Sequence, residues 1–82
     1  MSGERQQMVL VVWHDAHSEE TAGWLDPSEI DRAPCVVQTV GWLLTDAKPE
    51  HIVVAQSVII GSGEVDGVVC VPVGMVQRVQ IL

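Results

Sequence analysis

Hydrophobic positions in this chain come in short valine-rich bursts separated by polar punctuation. Residues 8–13 (MVLVVW) form a continuous aliphatic run, too short for an isolated helix and rich in β-branched side chains, which predicts a strand. Residues 35–45 (CVVQTVGWLLT) predict a second strand. Its alternation puts Val36, Gln38, Val40, Trp42 and Leu44 on one face, and Val37, Thr39, Gly41, Leu43 and Thr45 on the other. Gly41 in mid-strand predicts a bulge or a sharp bend. A polar turn at residues 46–50 leads into a third strand at residues 51–60. Residues 61–67 (GSGEVDG) read as a flexible turn ending in the turn pair Asp66-Gly67. Residues 68–71 give a fourth strand, stopped by Pro72. Residues 76–82 give a fifth, with Val79 and Ile81 alternating against Arg78 and Gln80.

Residues 14–34 break this rhythm. They hold six of the 11 acids (Asp15, Glu19, Glu20, Asp26, Glu29 and Asp31) and little that is periodic. Within them, Asp26-Pro27-Ser28-Glu29 reads as a helix start. Asp26 is suited to accept hydrogen bonds from free backbone N–H groups, Pro27 suits the first helical position, and Glu29 completes a capping-box-like pattern. Pro34 limits any helix to about Arg32. The segment is expected to be a long acidic excursion with one helical turn, pinned by Trp24, Leu25 and Ile30.

Five strands, a long first loop, later hairpins and a Pro72-led step before the last strand predict an all-β fold. The ending Gly67-Val68-Val69-Cys70-Val71-Pro72-Val73-Gly74-Met75-Val76 resembles the closing segment of SH3-like and Sm-like barrels. That resemblance implies a small five-stranded barrel with a short 3₁₀ turn ahead of the fifth strand. An OB-type barrel and an open five-stranded sheet are the competing arrangements. The 82 residues suffice for one domain, with residues 1–7 expected to be flexible.

Composition adds three expectations. First, 48% of the residues are hydrophobic, while a barrel of this size has few interior positions, so part of the apolar surface is expected between subunits of a homo-oligomer. Second, the net charge is −7, and the only cations are the scattered Arg5, Arg32, Lys48 and Arg78. That lacks the clustered basic surface of a nucleic-acid binder and argues against an anionic membrane surface. Third, no apolar run reaches the roughly 18 residues that span a bilayer, and the first residues have no secretory h-region. A cytoplasmic setting is expected, the host cell's if the chain is phage-encoded, with Cys35 and Cys70 as buried, inert thiols.

Candidate chemistry is sparse. His14 and His17, beside Asp15, Glu19 and Glu20, are candidate metal ligands, but a His-x-x-His pair without a third ligand matches no established site. Acid pairs such as Asp15 with Asp26 or Asp46 sit in loops, where carboxylates stay hydrated. Gly61-Ser62-Gly63 lacks the Lys-Ser/Thr of a phosphate loop. No cofactor is implied, and no catalytic residue is assigned. The three tryptophans are the chain's large aromatic surfaces. Trp42 is expected in the core. Trp24 is expected either as a lid over one end of the barrel or as a contact for a ligand or partner. Trp13, His14, Asp15, His17 and Trp24 form the candidate binding set. A PxxP-binding groove is excluded by the lack of tyrosine.

Three stretches, Val12-Trp13-His14-Asp15-Ala16 with Trp24, Thr39-Val40-Gly41-Trp42-Leu43-Leu44-Thr45-Asp46, and Pro72 followed by Met75-Val76, are similar to short uncharacterised proteins of bacteriophages and prophages from high-GC bacteria. The resemblance implies a phage setting and no catalytic residues. The expectation from all of this is a non-enzymatic, oligomeric binding module acting on a host protein or a small ligand through the acidic loop. A phage structural or assembly component is the alternative, and a small metal-dependent hydrolase using His14, His17 and Asp15 is a further one.

Overall fold

The computed structural model describes residues 6–16, 23–30 and 32–82. They form an all-β fold of five antiparallel strands: β1 (Met8–Asp15), β2 (Cys35–Leu43), β3 (His51–Val58), β4 (Val65–Pro72) and β5 (Val76–Ile81). The strands lie side by side in the order β4-β3-β2-β1-β5, in a sheet that does not close. The two helical pieces among the described residues are 3₁₀ turns, at Pro27–Glu29 and Val73–Met75. Thus the first turn stops at Glu29. Among the described residues, no helix is long and apolar enough to cross a membrane.

Register fixes which side chains share a face. Val9, Val11 and Trp13 of β1 lie opposite Gly41, Thr39 and Val37 of β2. Ile52 and Val54 of β3 lie opposite Val71 and Val69 of β4. These two surfaces supply one core: Val9, Val11 and Val54 are buried, with Trp13, Leu43, Ile52, Val69 and Val76 packed against them. β-Branched side chains suit this role because they fill a pleated surface with little rotamer freedom to lose.

β2 connects the halves. It pairs with β1 along its whole length, yet with β3 only at Trp42↔Ala55 and Leu43↔Val54. The junction requires Gly41. A Cβ placed there would lie 2.7 Å from the Ala55 carbonyl oxygen. The glycine therefore serves close backbone approach between β2 and β3, and the β1–β2 register runs through it without the expected bulge. The register shift lies instead between Val12 and Trp13, where β1 meets β5.

Several positions differ from the sequence expectation for one reason: strand alternation assigns faces but does not say which face is covered. Trp42 shares the face of Met8 and Ala55, opposite the Val9–Val11 face, and is half-buried. Cys70 is exposed and Cys35 half-buried; both are free thiols. Trp24 is fully exposed and pins nothing, while Ile30 is 46% exposed. Gln7, expected to be flexible, accepts a backbone hydrogen bond from Leu43 at 2.8 Å; residues 1–5 lie outside the described residues.

Among the described residues, six hydrophobic side chains are buried and fourteen large ones are exposed. The core is therefore small, and its tightest backbone contact sets its tolerance. Gly41→Ala is expected to lower stability by about 1–3 kcal/mol through overpacking. Gly74→Ala, where a Cβ meets nothing within 4 Å, is expected to change stability little. Urea denaturation midpoints of the two variants check the contrast.

Candidate functional site

Within the expected binding set, the three consecutive residues on β1 divide by alternation between the two faces of the sheet, Trp13 and Asp15 on one and His14 on the other. Trp13 points to the core side, half-buried, and its indole Nε1–H donates to Thr39 Oγ1 at 3.0 Å. This hydrogen bond satisfies the one polar group of the ring and makes Trp13 a structural residue. His14 is half-buried on the other face, opposite Val36, and Asp15 is exposed at the strand end, opposite Cys35. His17, Glu19 and Glu20 lie outside the described residues. Among the described residues, no group of three or more His, Cys, Asp and Glu side chains stands close enough together to hold a metal ion.

Trp24 is the member of the set most available to another molecule. Its side chain is fully exposed, and Gly23 before it takes φ +93°, a conformation open to glycine at little cost. Just after it, the Asp26 cap forms as expected, with local partners. Asp26 Oδ1 accepts from the Ser28 backbone N–H at 2.9 Å and from the Ser28 hydroxyl at 2.8 Å. Glu29 N–H donates to the Asp26 carbonyl at 2.8 Å, which closes the 3₁₀ turn. Both Ser28 hydrogen bonds favour the carboxylate and hold Asp26 below the usual aspartate range. Asp26 is thus an ionised cap, which does not suit it to supply protons in an acid pair.

A second site lies in the β2–β3 turn, which the sequence presents only as polar. Asp46, Lys48, Pro49, Glu50, His51 and Val73 line an open cavity of about 370 Å³. Asp46 and Glu50 both sit in the left-handed region, at φ 58° and 59°. Aspartate is tolerated there; glutamate is not favoured, since its Cβ crowds the following carbonyl. The Val73 N–H donates to the Glu50 carbonyl at 3.0 Å and ties this turn to the 3₁₀ turn before β5. His51 Nδ1 lies 2.8 Å from the Pro49 carbonyl. A carbonyl can only accept, so Nδ1 is the donor in this contact. The turn gathers two carboxylates, an ammonium and an imidazole around an open hollow. No pattern in the sequence announced it, because a glutamate at positive φ has no propensity signature.

Comparison with protein-family models, curated proteins and solved structures finds no match to this chain.

Two outcomes test this geometry. The Asp26 cap is held by the charged form. Its contribution is therefore present above the unfolded aspartate pKa of about 3.9 and is lost as pH falls through the lower folded value. In an NMR titration the Ser28 amide is expected to shift with a midpoint below about 3.9; a midpoint at or above that value would remove the cap assignment. At the second site, Glu50→Gly relieves a left-handed strain of about 1–2 kcal/mol while adding backbone entropy to the unfolded chain. It is expected to leave stability unchanged or raised, whereas Glu50→Val is expected to lower it, both read by urea denaturation.

Proposed function

We propose that this chain is a small homo-oligomeric β-module that works by binding, with the loop around Trp24 as its recognition surface. The observation that carries the reading is Trp24 itself. A fully exposed tryptophan on a glycine-preceded loop offers a large, rigid contact surface that costs little conformational entropy to immobilise. Loops held by a strand scaffold are the usual place for recognition. The strand order and the 3₁₀ turn between β4 and β5 support reading the scaffold as an open form of the SH3-like arrangement. In a phage setting, the bound species is a host protein or a small host molecule.

A second reading, a structural or assembly component, is favoured by the fourteen exposed large hydrophobic side chains among the described residues. It requires large, defined assemblies, whereas the binding reading requires only a partner or ligand held at the loop.

Native mass spectrometry of the protein taken directly from its host separates them. Wild type is expected to carry a co-purifying protein or small molecule, and Trp24→Ala to lose it with an unchanged melting temperature. Retention of the co-purifying species by Trp24→Ala would remove the loop as the recognition surface. Loss of folding in that variant would place Trp24 in the core and overturn the reading as well.

A further inference from the structure

The β3–β4 hairpin extends past its support. β3 and β4 pair from His51↔Pro72 to Val58↔Val65, but β2 leaves β3 after Trp42↔Ala55. Beyond Ala55 the hairpin is a two-stranded arm on an elongated molecule of 55 × 22 × 22 Å. Its tip is regular: Ile59 N–H donates to the Glu64 carbonyl at 2.8 Å, and Gly63 N–H to the Ile59 carbonyl at 2.9 Å. A two-stranded ribbon standing alone in water is marginal, so a regular arm calls for a surface packed against it.

The arm's side chains say what kind of surface. Ile60 is 98% exposed, Ile59 59% and Val65 39%. Between the arm and the body lies an open notch of about 330 Å³, lined by Val58 and Ile60 from the arm and by Trp42 and Gln6 from the body. Met8, opposite Trp42 in the sheet, continues this apolar surface at 41% exposure. We infer that the arm and this notch form an interface with a second copy of the same chain, each arm packing into the other's notch about a two-fold axis. The inference rests on the homo-oligomer reading above and names its surface.

Three observations favour a second copy over other occupants. The chain carries both an apolar projection and an apolar hollow beside it, as a self-complementary isologous contact requires. Ile59, Ile60, Val65 and Met8 are open on each copy, so a two-fold contact doubles the apolar surface it covers, toward the roughly 1,000 Å² that a specific contact needs. The stretches of these 82 residues outside the described ones (1–5, 17–22 and 31) are mostly polar, and offer no apolar segment to cover the notch. Glu64 and Asp66 on the arm and the net charge of −7 disfavour an anionic lipid surface; the same charge opposes a second copy, so both carboxylates have to lie at the hydrated rim of the contact.

Sedimentation velocity of the full chain across a concentration series, combined with hydrogen exchange, tests the inference. Wild type is expected to associate at micromolar concentration, and arm amides to gain protection as concentration rises. Ile60→Asp is expected to weaken association about 100-fold, as loss of a central apolar anchor does, while Val36→Asp, exposed on the same face as Trp42 but six residues away at the other end of β2, leaves it intact. An associating wild type whose Ile60→Asp variant still associates overturns the arm interface and leaves the oligomer reading standing. Arm protection independent of concentration in an associating wild type has the same consequence, and this readout needs no variant to fold. A wild type that stays monomeric throughout overturns both and assigns the arm to a different partner.

Discussion

The close approach of β2 to β3 at Gly41 organises this molecule. The Ala55 carbonyl occupies the space a side chain at position 41 would need. Because nothing fills that space, one strand can serve both halves, pairing with β1 along its length and with β3 at its end. The Val54 face of the hairpin is thereby brought against Val9 and Val11. Hydrophobic burial drives this packing, but the glycine decides where it happens.

The same junction creates what the core cannot use. Once β2 diverges from β3, the rest of the hairpin has no neighbour on that side, and its isoleucines face solvent. Covering them within the chain would take a further strand or an apolar loop. The connections are instead acidic or glycine-rich in sequence. A small domain with apolar residues on both faces of its sheet has few ways to hide them alone.

Polar chemistry is displaced to the turns. No polar or charged side chain is buried among the described residues, and among them no buried side-chain nitrogen or oxygen lacks a partner. Trp13 meets this constraint through Thr39, and Asp26 is held by Ser28 at the surface. The polar and aromatic groups left open lie at the rim: Trp24 on one loop, and the Asp46–Glu50–His51 hollow on a turn held by two left-handed residues.

Much of this architecture is legible in the sequence, and the limits are physical. Valine-rich runs bounded by glycine and proline locate five strands, because β-branched residues and turn formers act locally, although β4 begins at Val65 and takes in the Asp66-Gly67 pair read as a turn; Asp26-Pro27-Ser28 locates its 3₁₀ turn by the same logic. Alternation sorts β2 correctly into two faces. It cannot say that Trp42 lies on the face away from the core, that Cys70 is exposed, or that Trp13 and His14 point apart relative to a covered side. Burial depends on which surface the hairpin folds over, a long-range outcome set by the closeness of Gly41 to Ala55. The sequence by itself determined the strands, the cap and the acidic loop. Only the tertiary structure decided which apolar face became core, which became an arm left in solvent, and which turn gathered its charges around a hollow, because those depend on contacts between residues far apart in the chain.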